Sequence, residues 1–303
     1  MKKKESIGHI MALITVFIWG TTFISTKIIL KELTPVEILF YRFLIAYIAL
    51  IIIYPKFHKI KSLKEELLFL SMGLSGVTLY FFVENTALKY TLASNVGLLL
   101  STAPIFTALL AHFFTEDEKF EKKFLIGFTV AMLGIFLVIF NGKFVLKLNP
   151  IGDVFALMAA VFWAIYSVLL KKVNKEYNQI YVVRKTFFYG LLANIPMSLI
   201  LGSDLKVVNS ISLNLVLNII FLGLGASAMC FVFWNKAVSI LGVVKANNYI
   251  YLIPLITMIA SVVLLHEKVN VIMIGGCLLI LLGVYISDKG FKVVKVEKEN
   301  VKI

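Results

Sequence analysis

Long apolar runs alternate with short polar stretches along almost the whole chain. Ten runs are close to membrane-spanning length: 8–30, 35–54, 67–88, 91–114, 124–141, 151–171, 179–201, 213–237, 243–265 and 270–288. A helix needs about 20 mostly apolar residues to cross the hydrocarbon core. The strands of a membrane barrel would alternate apolar and polar over about ten residues. Stretches such as 124–140 and 271–286 are instead almost continuously hydrophobic. The pattern predicts an all-α membrane protein with ten transmembrane helices.

The runs repeat. Ile7-Gly8-His9-Ile10-Met11-Ala12-Leu13 is matched 144 positions later by Ile151-Gly152-Asp153-Val154-Phe155-Ala156-Leu157, and Ile18-Trp19 is matched by Phe162-Trp163 at the same offset. Gly73-Leu74, Asn85 and Pro104 return 150 positions later as Gly223-Leu224, Asn235 and Pro254. Glu118-Lys119 with Gly127 and Gly134 returns 149 positions later as Glu267-Lys268 with Gly276 and Gly283. The offset changes only in polar stretches, where insertions are tolerated. Each half holds an odd number of spans, so the second half enters the membrane from the opposite side. The expected organisation is two inverted five-helix repeats, 7–141 and 150–288, then a basic cytoplasmic tail, 289–303.

Composition agrees with lipid as the main solvent. Of 303 residues, 60% are hydrophobic and 16% charged, and mean hydropathy is +0.94. Soluble domains are roughly half apolar and a quarter charged. A formal net charge of +13 raises the question of nucleic acid, but in a polytopic chain basic residues mark cytoplasmic loops. With the N-terminus inside, 22 of the 30 Lys and Arg fall on the inner side and 7 on the outer, and Arg42 lies within a span. The expected placement is the cell membrane with both termini cytoplasmic. The basic tail is then positioned to meet anionic lipid headgroups. Cys230 and Cys277 lie in apolar runs and read as packing residues, and the four histidines have no metal-ligand spacing. No metal, cofactor or nucleic-acid partner is expected, and the oligomeric state is left open.

Phe17-Ile18-Trp19-Gly20-Thr21-Thr22-Phe23 in the first span and Ala87-Leu88-Lys89-Tyr90-Thr91 with Ala93-Ser94 after the third carry a family resemblance. Pro104, the Gly127/Gly134 spacing and their second-half counterparts extend it over residues 7–288. In these features the chain resembles the EamA-like branch of the drug/metabolite transporter superfamily. That resemblance implies ten helices, alternating access, and export or exchange of amino acids or related small metabolites.

Several residues stand out as candidate site chemistry. Trp19 and Trp163 fall at mid-span at matching repeat positions, whereas tryptophan favours the headgroup interface; a solute cavity is one explanation and packing between halves the other. At helical spacing Trp19 shares a face with Thr22, Phe23 and Thr26, and Trp163 with Tyr166 and Ser167. Tyr80 and Glu84 share a face of the third span with Gly73 and Gly76; Trp234 lies on the eighth span with Gly223 and Cys230. Glu84 is an intramembrane carboxylate and Arg42 lies at comparable depth, which suggests proton coupling or a structural ion pair. Asn248 and Tyr251 are one turn apart and suit hydrogen bonding to a small-molecule substrate. Pro104 and Pro254 each remove a backbone donor, making them static kinks or hinges. The glycines read as close helix contacts.

A secondary carrier accounts for these features. No G-x-x-x-x-G-K-[ST] loop is present to cradle nucleotide phosphates. A membrane-embedded enzyme or lipid-handling protein is the alternative, but Arg42, Glu84, Arg184 and Lys185 are too sparse an ionisable set for hydrolysis or metal chemistry. A channel would carry a filter loop or a ring of charges.

Overall fold

The polar stretches between apolar runs supply helix caps. Thr34 closes a capping box with Glu37 at the start of the helix Pro35–Ile53, whose first residue is the proline favoured there. Ser62, Asn149, Asn178 and Ser212 each accept a backbone N–H at the start of a later helix. The computed structural model describes residues 2–59, 61–91, 93–115, 121–140, 149–173, 177–201, 212–265 and 271–289. The stretch 116–120, both Glu-Lys pairs of the repeat and the tail 290–303 lie outside them.

The described residues have all-helical regular structure, joined by turns and short irregular stretches such as 54–59. In order they form α1 (Lys2–Ile29), α2 (Pro35–Ile53), α3 (Leu63–Tyr90), α4 (Ala93–Leu100), α5 (Ala103–Phe114), α6 (Lys122–Phe140) and α7 (Pro150–Lys171). Then come α8 (Gln179–Ile200), α9 (Leu213–Leu241), α10 (Val243–Asn247), a 3-10 turn (Asn248–Leu252), α11 (Ile253–Leu265) and α12 (Val271–Lys289). Among the described residues, 6 helices are long and apolar enough to cross a membrane. The first begins well before its apolar run, because Lys and Glu propagate a helix readily even where they end a hydrophobic stretch.

Three interruptions shape the bundle. The run expected as one span over 91–114 breaks at Ser101 and Thr102, where Thr102 N bonds to Leu99 O. Pro104 offers no N–H to the carbonyl of Leu100, so the turn tightens. Pro254 comes after the 3-10 turn Asn248–Leu252 for the same reason. Gly242 sits at φ 88 between α9 and α10, a conformation that favours glycine.

α3 and α9 also contain π-helical segments, Leu74–Leu79 and Phe221–Met229, whose last residues are 150 positions apart. A π turn inserts an extra residue and rotates the next turns of the helix about its axis.

The closest helix approaches come in matched sets. A Cβ added to Gly73 would lie 2.9 Å from Thr186 O and 2.8 Å from Tyr189 Cβ; one on Gly223 would lie 3.1 Å from Arg42 O and 3.0 Å from Ile45 Cβ. Thr186 and Tyr189 come 144 positions after Arg42 and Ile45. Gly8 packs on Leu241 as Gly152 packs on Thr91. α6 and α12 run antiparallel through glycine: a Gly127 Cβ would lie 2.6 Å from Gly283 O, and a Gly134 Cβ 2.5 Å from Gly276 O. At α8, Arg184 donates to the carbonyls of Tyr54 and Lys56 after α2, and Glu66 of α3 accepts from Lys185 and Tyr189.

The α6–α12 contact is testable with two alanines. Gly134→Ala places a methyl against backbone that cannot rotate away, an overpacking worth about 1–3 kcal/mol of destabilisation. Gly275→Ala meets nothing within 4 Å and gains up to about 1 kcal/mol of helix propensity. Thermal unfolding in detergent should therefore move down for the first and hold or rise for the second. Equal shifts would contradict the packing described.

Candidate functional site

The interruptions border a cavity among the helices. α1 contributes Trp19, Thr22 and Phe23, α2 contributes Arg42, and α3 contributes Tyr80, Phe81 and Glu84. Across from them lie Leu100 and Ala103 at the α4–α5 break, Trp163 of α7, and Ile250 and Ile253 beside Pro254. Three pairs are repeat counterparts: Trp19 and Trp163 at 144 positions, Leu100 with Ile250 and Ala103 with Ile253 at 150. The cavity measures about 40 Å³, room for roughly three waters.

Its wall is aromatic. The chain has three tryptophans, and all three meet here: Trp19 lies 5.1 Å from both Trp163 and Trp234, and Trp163 lies 5.7 Å from Trp234. The Trp19–Trp163 pair is edge-on at 90°, the arrangement the ring quadrupole favours. Trp19 Nε1 donates to Ala226 O at 2.9 Å, and Trp163 Nε1 to Asn247 Oδ1 at 3.0 Å. Ala226 lies in the π segment of α9, so that segment turns a carbonyl toward the site.

The cavity holds opposite charges from one half of the chain. Arg42 is 2% exposed and Glu84 is 6% exposed. Arg42 Nε donates to Ser227 Oγ at 3.0 Å, and its guanidinium lies 4.2 Å from the Phe81 ring and 5.2 Å from that of Phe43. Among the described residues no N···O contact of 4.0 Å or less joins Arg42 to Glu84, and none donates a hydrogen bond to the Glu84 carboxylate. Cation–π contact contributes up to about 2 kcal/mol, whereas withdrawing each ion from water costs several. The unmatched remainder falls on whatever fills the cavity.

Of the residues singled out in the sequence, Trp19, Phe23, Arg42, Tyr80, Glu84 and Trp163 line the cavity. Trp234 and Tyr166 stand directly behind it: Tyr166 is 5.3 Å from Trp163 and donates to Asn235 Oδ1 at 2.8 Å. Asn248 and Tyr251 are buried but do not reach the lining; Ile250 and Ile253 do. In a 3-10 turn residues three apart eclipse, so Asn248 and Tyr251 do share a face, but the face turned to the cavity is that of Ile250 and Ile253. Pro104 and Pro254 sit immediately after Ala103 and Ile253, beside the cavity. Thr22, Phe81, Leu100, Ala103, Ile250 and Ile253 complete the lining; apart from Thr22, which shares the Trp19 face, nothing in their residue type marks them. No group of three or more His, Cys, Asp or Glu among the described residues is arranged to hold a metal.

Gly76 supports this wall from behind. A Cβ there would lie 2.3 Å from the Tyr166 ring, whereas one on Gly97 would rest 3.8 Å from Phe23. Gly76→Ala should push Tyr166 against Trp163 and alter the near-ultraviolet circular dichroism of the tryptophan cluster; Gly97→Ala should leave it unchanged. Identical spectra for Gly76→Ala and the parent would contradict this packing.

Comparisons with known proteins agree with a membrane transporter. The sequence model of the EamA-like transporter family matches residues 6–140 and again 150–287. An uncharacterized transporter of Archaeoglobus fulgidus is 32% identical over 289 residues, covering 93% of this chain and 98% of its own. A probable amino-acid metabolite efflux pump of Escherichia coli is 24% identical, with 96% and 97% covered. A solved crystal structure shares the fold at a TM-score of 0.74 and 18% identity, covering 94% of this chain and 98% of its own. The chain belongs to the EamA-like transporter family.

Proposed function

We propose that the protein is a secondary carrier of the cell membrane that exports or exchanges amino acids or related small metabolites by alternating access. Ten helices form two inverted halves, 7–141 and 150–288, with both termini and the tail 289–303 cytoplasmic. The observation that carries this reading is the cavity itself. It lies where repeat counterparts from both halves meet, and it combines aromatic walls with buried charge. A midplane site between inverted repeats is where a rocking carrier holds its solute.

The matched glycine contacts support the two-fold relation of the halves. They also suggest the two mouths. At one end Gly152 packs on Thr91, Lys27 Nζ donates to Thr91 O at 3.2 Å, and Thr91 Oγ1 donates to Asp153 Oδ1 at 3.2 Å. At the other, Gly8 packs on Leu241 and His9 Nδ1 meets the Tyr249 hydroxyl at 2.5 Å. Opening one set while the other holds would expose the cavity to one face at a time. Breaks beside Pro104 and Pro254 replace α-helical bonds with tighter ones, Thr102 N to Leu99 O and Ile253 N to Ile250 O, which fits a hinge. The Escherichia coli relative's description as an amino-acid metabolite efflux pump is the reason for favouring amino acids and export.

Purified protein in liposomes, offered a panel of radiolabelled amino acids and their metabolites, should move at least one above empty liposomes. Trp19→Ala, if folded, should lower that flux by tenfold or more, a loss of about 1.4 kcal/mol of transition-state stabilisation. A panel in which nothing moves contradicts the carrier reading, and full flux in folded Trp19→Ala removes the cavity from the transport path.

A further inference from the structure

We infer that Arg42 and Glu84 form a clamp for a zwitterion: the guanidinium takes the carboxylate of the solute, and the Glu84 carboxylate takes its ammonium group. The inference rests on the carrier reading and names the chemical class its site accepts.

Four observations carry it. Both side chains are more than nine-tenths buried and line the same cavity. They do not close on each other, and Glu84 takes no hydrogen bond from any described residue. Arg42 is held from behind, by Ser227 on Nε and by the Phe81 and Phe43 rings. Its two terminal nitrogens are left for the planar, two-point contact that guanidinium makes with a carboxylate. A solute with one charge would neutralise one of these ions and strand the other in an apolar site. A zwitterion satisfies both.

The repeat sharpens the geometry. The counterpart of Glu84 in the second half is Trp234, and that of Arg42 is Thr186. The charged groups therefore come from α2 and α3 of the first half alone. Trp163, Ile250 and Ile253 of the second half present the opposite, uncharged wall. A zwitterion bound here is polarised, its head toward the first half and its side chain toward the second.

Trp19 and Trp163 line the cavity and Trp234 packs on both, so intrinsic tryptophan emission of the purified protein reports binding directly. Two series serve as probes: leucine, isoamylamine and isocaproate; phenylalanine, phenethylamine and hydrocinnamate. Within each series the amino acid should bind at least about tenfold tighter than either singly charged analogue, because each analogue strands a buried charge. In Arg42→Gln the amine should overtake the acid and match or exceed the amino acid; in Glu84→Gln the acid should do so. Should either variant fail to fold, the parent protein's ranking still decides. Analogues that bind as tightly as their amino acid overturn the clamp, as does unaltered ranking in both folded variants. Binding of none of the six overturns it too. Liposome flux separates the two claims: solute movement without charge preference sinks the clamp and spares the carrier, whereas absent flux sinks the carrier reading.

Discussion

A guanidinium and a carboxylate kept apart inside an apolar bundle set the terms for everything around them. Neither ion is stable there unaided, since lipid and helix interiors offer no water to replace the lost hydration. The protein meets part of that cost with aromatic faces and one hydroxyl at Arg42. It leaves Glu84 facing open space. Such an arrangement is poorly suited to a purely structural ion pair, which gains most when the partners touch.

Backbone irregularity is what makes the space. Continuous α-helices would satisfy every amide and pack the bundle shut. The breaks at Ser101–Thr102 and Asn248–Leu252 adjoin the lining residues Leu100, Ala103, Ile250 and Ile253, and the π segment of α9 supplies the Ala226 carbonyl and Ser227 hydroxyl that hold Trp19 and Arg42. Irregular backbone is tolerated in a membrane protein where it is buried in protein or lines a cavity; Ser101, Asn248, Tyr251, Ala226 and Ser227 in these segments are buried. Glycine and threonine contacts hold the surrounding frame closely. The α6–α12 pair, with backbone against backbone at two glycine levels, is a tight seam remote from the charges.

The sequence made much of this legible. Apolar run lengths announced an all-helical membrane chain, and the spacing of Trp19 with Trp163, and of Pro104 with Pro254, pointed to the region that the structure brings together. Arg42 and Glu84 stood out because charge is rare at that depth. The remainder was hidden for physical reasons. Leu100, Ala103, Ile250 and Ile253 are ordinary apolar residues whose role depends on a neighbouring break. Asn248 and Tyr251 share a face of the 3-10 turn, but packing turns the Ile250–Ile253 face to the cavity, which residue type does not announce. Nothing in Leu74–Leu79 or Phe221–Met229 announces a π turn, since that winding comes from packing rather than from local propensity.

Alternating exposure of one cavity is the claim that unites charge, aromatic wall and paired mouths. It is tested most directly by thiol labelling at Thr22, which lines the cavity on α1. With Cys230 and Cys277 replaced by serine, a Thr22→Cys protein in sealed, oriented vesicles would be exposed to a membrane-impermeant maleimide from one face or the other. Alternating access predicts labelling from both faces, slowed from both by a transported amino acid. Labelling from one face alone, with the other silent under every solute condition, would contradict it.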